Sequence, residues 1–226
     1  MPNLIKDCRL RKIYEMVDCP VVADIGTDHG KLVGQLFLDG KIEKAYLTDI
    51  SEQSLEKAKL LISKLDFAKN STFIVSDGFD NMQDIKDSYQ AIIAGMGGEE
   101  IIKILSKIES NKNINSFILQ PQKNVVNLRE YLINNGYKIK TDIVVKDGTQ
   151  FYFVIKAVVG KDVLSYEELH FGKTNLADFS QDFVDYLRYQ KTLYDEILSS
   201  AKNFGSDKQK YYDALVKCIK KGESKC

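Results

Sequence analysis

Four short loops hold most of the residues that could do chemistry. The first is Asp24-Ile25-Gly26-Thr27-Asp28-His29-Gly30, of the form D-x-G-x-x-x-G. Its glycines let the chain turn sharply and approach a ligand closely. A helix starting behind them would offer free N–H donors to a carboxylate or phosphate. Three cofactor chemistries compete for such a loop. A P-loop requires G-x-x-x-x-G-K-[ST]; here Gly26 and Gly30-Lys31 stand one residue too close, and Leu32 replaces the hydroxyl that would hold magnesium. A dinucleotide loop seats a pyrophosphate, which Asp28 would repel. A cationic ligand suits the loop better. S-adenosylmethionine carries a sulfonium, an ammonium and no phosphate, and is compatible with acids at Asp24 and Asp28.

The other three loops follow in order. Asp49, with Ile50 beside it, can accept both hydroxyls of a ribose, a feature common to NAD and S-adenosylmethionine. Asp77-Gly78 can hold an adenine amino group. Ala94-Gly95-Met96-Gly97-Gly98 exposes backbone polar groups and leaves room for a flat base. Taken singly, each has an ordinary alternative: turn glycines, a packing methionine, His29 or Asp28 capping a helix. Their occurrence in order on consecutive strand ends is the specific signal.

The elements that must position these loops alternate. Short apolar runs at 21–25, 45–49, 72–75, 91–94 and 117–119 read as strands buried on both faces. Helical patterns at 3–17, 30–39, 51–65, 98–109 and 125–135 separate them. Two apolar β-branched runs at 137–145 and 151–159 flank Lys146-Asp147-Gly148-Thr149-Gln150, a hairpin signal. The expected fold class is α/β: a mostly parallel, doubly wound sheet ending in an antiparallel hairpin. Beyond residue 160 the strands stop. Phe183, Leu187, Gln190, Tyr194, Ile197 and Ala201 form a heptad seam. After a break at Asn203-Phe204-Gly205, Tyr212, Leu215, Val216 and Ile219 form a second stripe. Together they predict a C-terminal helical, coiled-coil-like hairpin.

Composition bounds the partners. Of 226 residues, 32 are Lys or Arg and 32 are Asp or Glu, so the formal net charge is zero. That excludes nucleic-acid binding by bulk charge but allows a local basic surface. Only Arg9, Arg11, Arg129 and Arg188 are arginines. Apolar residues reach 44 %, enough for a sizeable core. Cys8, Cys19, Cys218 and Cys226 are scattered, so neither a zinc site nor a disulfide framework is expected. With no signal-peptide stretch and no transmembrane run, a cytoplasmic protein with no membrane partner and no metal is expected. A monomer is favoured.

Asp24-Ile25-Gly26-Thr27-Asp28-His29, Ala94-Gly95-Met96-Gly97-Gly98 and Leu119-Gln120-Pro121 together resemble the bacterial tRNA (adenine-22-N1)-methyltransferases, the TrmK family, from about Leu10 to Ala157. The sequence departs from that family at Lys31-Leu32-Val33, where Leu-Pro is usual, and at Gln122, where Asn is usual. The resemblance implies a Rossmann-like methyltransferase domain over 1–160 and a helical domain over 161–226. It implies S-adenosyl-L-methionine as donor and N1 of adenine 22 in tRNA as acceptor. By motif it makes Asp24, Gly26, Thr27, Asp28 and His29 cofactor-loop residues, Asp49 with Ile50 the ribose end, and Asp77 and Gly78 adenine contacts. Gly95, Met96, Gly97 and Gly98 would line the transfer site, with Gly95 also contacting the cofactor.

Adenine N1 has a free lone pair, so transfer needs alignment rather than a base. The methylated base is cationic, which makes Asp28 the candidate charge-stabilising carboxylate. No N-P-P-[YFW] string follows the fourth strand, which argues against an exocyclic-amine acceptor. Lys6, Arg9, Arg11 and Lys12 form one candidate RNA-binding cluster; Lys217, Lys220 and Lys221, in a Lys-rich stretch running from Lys208 to Lys225, form another. The alternatives are a non-catalytic tRNA- or protein-binding module that retains the fold, or a small-molecule methyltransferase.

Overall fold

The computed structural model describes residues 3–108, 113–200 and 205–223. Its centre is one seven-stranded sheet. Strands β1 (Val21–Ile25), β2 (Lys44–Asp49), β3 (Ser71–Val75), β4 (Tyr89–Met96) and β5 (Ile114–Pro121) pair with one another in parallel; β6 (Tyr137–Asp147) and β7 (Gln150–Val159) form the antiparallel edge, β7 against β5. The order is β3-β2-β1-β4-β5-β7-β6. The inner strands are apolar at nearly every position because helices cover both faces. Val22, Ala23, Ile92 and Ile93 are all fully buried.

Helices α1 (Cys8–Met16), α2 (Lys31–Leu38) and α3 (Glu52–Lys64) cover one face, packing Ile13, Val33, Leu36 and Ile62 against Val22, Ile92 and Ile118. Helices α4 (Gly98–Ser106) and α5 (Val125–Asn134) cover the other, packing Ile101, Leu105, Leu128 and Leu132 against Ala23, Ile93 and Leu119. The chain therefore leaves β1 toward one face and β4 toward the other. A crevice opens between the carboxyl ends of two such strands.

Several boundaries differ from the sequence expectation. Helix α1 starts at Cys8 rather than residue 3, because Asp7 caps it: Asp7 Oδ1 accepts the Leu10 N–H at 2.6 Å. Residues 3–7 are neither helix nor strand, and the Leu4 N–H donates to Gln35 Oε1 at 2.8 Å. Strand β4 does not stop at Ala94; it runs through Gly95 to Met96, with a register shift between Ala94 and Met96. Strand β5 absorbs Gln120 and Pro121 instead of ending before them, and Pro121 pairs with Met96 at the strand end. The hairpin turn shortens to Gly148-Thr149 between Asp147 and Gln150. The expected end of the α4 segment, residue 109, lies outside the described residues.

Among the described residues the C-terminal segment is four helices rather than a two-helix arm: α6 (Tyr166–Phe171), α7 (Lys173–Asp178), α8 (Gln181–Ser200) and α9 (Ser206–Glu223). Helix α6 opens on a capping box, Ser165 with Glu168, a spacing present in the sequence but not used above. Helices α8 and α9 run antiparallel. Tyr212 Oη donates to Asp195 Oδ1 at 2.7 Å, while Gly222 lies against the Phe179 ring near the other end. Only the base of the heptad seam is dry. Phe183 and Leu187 are buried with Phe171 and Leu215 against Val144 and Phe153 of the hairpin, whereas Ile197 is exposed. Ala201, Asn203, Phe204, Lys225 and Cys226 lie outside the described residues.

Candidate active site

A cavity of about 630 Å³ occupies the crevice at the carboxyl ends of β1, β2 and β4. Asp24, Gly26, Thr27, Asp28, His29, Asp49, Ile50, Asp77, Gly78, Gly95 and Met96 all line it. Four loops far apart in sequence thus converge, because the parallel sheet brings successive carboxyl ends to one edge.

The β1–α2 loop is built on β2. The N–H groups of Gly26 and Thr27 both donate to the Thr48 carbonyl, at 2.8 and 2.9 Å. Gly26 has φ +79°, a region L side chains rarely adopt. The Met96 methyl sits where a Cβ on Gly26 would stand, 2.3 Å away. Asp24 is buried, and its Oδ2 accepts the Thr27 hydroxyl at 2.7 Å. Burial raises the Asp24 carboxyl to about 6; the Thr27 hydrogen bond opposes this and the charge of Asp49 adds to it.

Asp49 is held by both oxygens. Oδ1 accepts the Ser51 N–H at 2.8 Å and Oδ2 the Asp28 N–H at 3.2 Å. A carboxylate has four lone-pair sites, so two remain for ligand hydroxyls. Ile50, beside it, is 73 % exposed, an apolar side chain left uncovered at the cavity mouth. Asp28 takes φ +49°, and its Oδ2 pairs with His29 Nδ1 at 2.5 Å on the exposed lip. His29 does not cap α2. The N-cap is Gly30, with no side-chain cap bond, because Gly30 itself adopts the left-handed conformation.

Asp77 is occupied by a cation of α4's C-terminal cap. Lys107 Nζ donates to Asp77 Oδ2 at 2.7 Å and to Asp80 Oδ2 at 3.0 Å, and the Lys107 hydrogen bond holds the Asp77 carboxyl below its ordinary value. Gly78 packs its backbone on Ile104.

The β4 end forms a ledge. Gly95 has φ +80°, with only the Arg9 guanidinium near the position a Cβ would take, at 3.6 Å. Its N–H donates to Gln120 Oε1 at 3.1 Å, and Arg9 Nη1 donates to the same oxygen at 2.8 Å. Gln120 is fully buried and gives its own amide N–H to the Pro121 carbonyl at 2.9 Å. The next loop is zipped to the ledge, since the Gly98 N–H donates to the Lys123 carbonyl and the Gln122 N–H to the Met96 carbonyl.

Residue reasoning missed Gln120 as a site residue, although the Gln-Pro string was visible. The sequence groups Arg9 with a candidate RNA-binding cluster; in the structure Arg9 lines the cavity, its guanidinium 5.7 Å from the centre of the Tyr152 ring. The rest of that cluster stays outside the cavity: Lys6 and Arg11 are exposed, and Lys12 pairs with Glu15 at 2.6 Å. On α9, Lys217 pairs with Glu167 of α6 at 3.3 Å, and Lys220 and Lys221 are exposed. Among the described residues no group of three His, Cys, Asp or Glu is arranged to hold a metal, and no helix is long and apolar enough to cross a membrane.

The cavity fits an adenosine-bearing cation. It offers acids along β1 to β3, two open lone-pair sites on Asp49, an uncovered Ile50 and a glycine ledge without side chains.

Residues 6–155 match a family described as "Methyltransferase domain". Two mycoplasma proteins, provisionally named tRNA methyltransferases, are 36 % identical (Mycoplasma pneumoniae) and 34 % identical (Mycoplasma genitalium); the matches cover 58 % and 60 % of this chain. The chain spans 60 % of the length of each of these two relatives. A tRNA (adenine(22)-N(1))-methyltransferase of Bacillus subtilis is 27 % identical over 89 % of both chains. Among solved structures, M. capricolum TrmK in complex with S-adenosyl-homocysteine superposes with a TM-score of 0.79, at 24 % identity, over 98 % of this chain and 97 % of that one. At that identity the likeness speaks for the fold, which is the Rossmann-like methyltransferase architecture with its C-terminal helices.

Proposed function

We propose that this chain, which belongs to the methyltransferase-domain family, transfers a methyl group from S-adenosyl-L-methionine to N1 of adenine 22 in tRNA. The observation that carries the reading is the convergence of Asp24, Gly26, Asp49 and Gly95 on one cavity at the switch point of the sheet. The choice of tRNA and of position 22 is supported by the name of the B. subtilis relative.

When bound, the cofactor supplies an electrophilic methyl on a sulfonium. The chain's own residues do the rest. Asp49 accepts the ribose hydroxyls through the lone pairs that Ser51 and Asp28 leave free. Ile50 would cover one face of the adenine, and the Asp77-Gly78 turn would meet its edge. Asp24, largely ionised above pH 6, faces the cofactor's positive charge. Gly95 to Gly97 leave room for the acceptor base, whose N1 lone pair needs no proton removed. Asp28 stabilises the positive charge that develops on that base. N1 lies on the Watson–Crick edge, so the target nucleotide must leave its stack to enter.

Residues 161–226 form the tRNA-gripping unit in this reading, with Lys217, Lys220 and Lys221 as phosphate contacts on α9. Arg11, Lys6 and Lys12 contribute on the α1 side.

The test is incubation with methyl-labelled S-adenosylmethionine and bulk tRNA, followed by mapping of the modified nucleotide. Label at N1 of adenine 22 is expected. Label only in small metabolites would favour a small-molecule enzyme, and no label a binding module.

A further inference from the structure

The cavity carries charges of both signs. Asp24, Asp28, Asp49 and Asp77 stand at the β1, β2 and β3 ends. Two cations stand by the glycine ledge at the β4 end: Arg9, which lines the cavity as Asp7 and Glu100 do, and Lys123, which lies outside its lining. Arg9 Nη1 comes within 3.6 Å of the place a Cβ on Gly95 would occupy, and Lys123 Cε within 3.4 Å of the same place on Gly97. The two glycines are two positions apart in the chain, so both cations stand by the same short ledge.

Both cations keep donors to spare. A guanidinium has five N–H donors; the hydrogen bond of Arg9 uses Nη1, and its Nε lies 3.8 Å from Asp7 Oδ1. Lys123 is exposed and, among the described residues, its ammonium has no hydrogen bond or ion pair. Lys123 has no folding role that calls for its charge, while Arg9 also holds the buried Gln120 amide through one hydrogen bond. Helix α1 is capped by Asp7, and the Lys123 contribution to the ledge is its backbone carbonyl, which accepts the Gly98 N–H.

We propose that Arg9 and Lys123 form a phosphodiester clamp on either side of the acceptor base, gripping the backbone of the nucleotide that enters the ledge. The inference rests on the tRNA reading above and goes beyond it by assigning the backbone contacts of the target nucleotide. The planar fork of Arg9 suits two phosphate oxygens, and Lys123 supplies a mobile point charge opposite. Arg9 has a second task as a positioning residue. Its Nη1 fixes Gln120, and Gln120 fixes the Gly95 N–H, so the clamp and the ledge move together.

The experiment measures transfer to a tRNA transcript at rising salt, for the unaltered protein and for Arg9→Gln, Arg9→Lys, Lys123→Gln and the Arg9→Gln/Lys123→Gln pair. Each lost phosphate contact should raise the tRNA KM roughly tenfold. It should also flatten the dependence of log KM on log salt by about 0.7 to 0.9, with the pair losing about twice that. Arg9→Lys should keep the slope, because the charge remains, and lower kcat, because the Nη1 hydrogen bond to Gln120 is lost. Affinity for S-adenosylhomocysteine, read by calorimetry, should stay within twofold in Lys123→Gln, whose residue lies outside the cavity lining.

Unchanged slopes in Arg9→Gln and Lys123→Gln, with transfer intact, would overturn the clamp alone. A matching fall in S-adenosylhomocysteine affinity in Lys123→Gln would overturn it too, by making that residue a support of the cofactor pocket. Absence of transfer to tRNA by the unaltered protein would overturn the tRNA reading and the clamp with it.

Discussion

Arg129 of α5 and Asp142 of β6 close a two-pronged ion pair inside the protein, Nε to Oδ2 at 2.6 Å and Nη2 to Oδ1 at 3.0 Å, with side chains 0 % and 1 % exposed. The remaining Arg129 nitrogen, Nη1, donates to the carbonyls of Leu169 and His170 at the end of α6. The pair therefore ties the sheet to the C-terminal helices at a point where no water can replace a lost partner.

Breaking this pair on one side strands a buried charge. Arg129→Met or Asp142→Leu alone should lower stability by about 3–5 kcal/mol, and the double replacement should lose much less. Denaturant unfolding of the three variants measures this, and additive losses would contradict it. Deleting residues 160–226 is a poor test of tRNA gripping for the same reason, since it would also uncover Val144 and Phe153. Gln in place of Lys217, Lys220 and Lys221 keeps the fold and leaves the salt dependence readable.

Asp49 accepts two backbone N–H groups that hold the loops on both sides of it. Asp49→Ala should weaken S-adenosylhomocysteine binding by roughly a hundredfold, the loss of two charge-assisted bonds. Calorimetry decides, and unchanged affinity would remove Asp49 from the cofactor site.

Asp24 makes ligand binding depend on pH. Its folded-state value of about 6 lies above the ordinary 3.8, so the folded form holds this proton more tightly than the unfolded chain does. Ionising the buried carboxyl therefore destabilises the fold. The penalty is absent below pH 3.8, grows toward pH 6 and levels off above it at about 3 kcal/mol. A bound cation favours the ionised form. Affinity for S-adenosylmethionine should thus fall about tenfold per pH unit below 6 and plateau above it, while Asp24→Asn should be flat across that range. A plateau extending down to pH 5 in the unaltered protein would refute the assignment.

Gly95→Ala separates folding from transfer. The left-handed backbone should cost about 1–2 kcal/mol with alanine, and the space around the new Cβ is otherwise open. The protein should stay folded and bind S-adenosylhomocysteine normally, while transfer falls at least tenfold because a methyl stands on the acceptor ledge. Wild-type turnover in a folded variant would show that the base approaches elsewhere.

The sequence by itself determined the alternation of strands and helices, since period, β-branching and Gly or Pro punctuation are local properties. It also determined the order of the acid- and glycine-bearing loops, because a parallel sheet with crossover helices sends every strand's carboxyl end to one edge. Asp24, Asp49, Asp77 and Gly95 could therefore be grouped before any coordinate was known. Zero net charge was compatible with a nucleic-acid partner for a related reason: the acids that balance the lysines include those lining the cavity.

Tertiary structure decided what depends on contacts between distant segments. Arg9 and Gln120 are 111 positions apart, and no local pattern announces that a helix-borne guanidinium will cross the end of β5 to meet a buried amide. Asp77 is read differently once Lys107, 30 positions later, neutralises it. The arm's periodicity predicted a helical hairpin but not its docking. That is set by Phe153 and Val144 on the sheet and by Arg129, whose partners lie on β6 and α6. Periodicity records which face of a helix is apolar; only the assembled chain decides what that face meets.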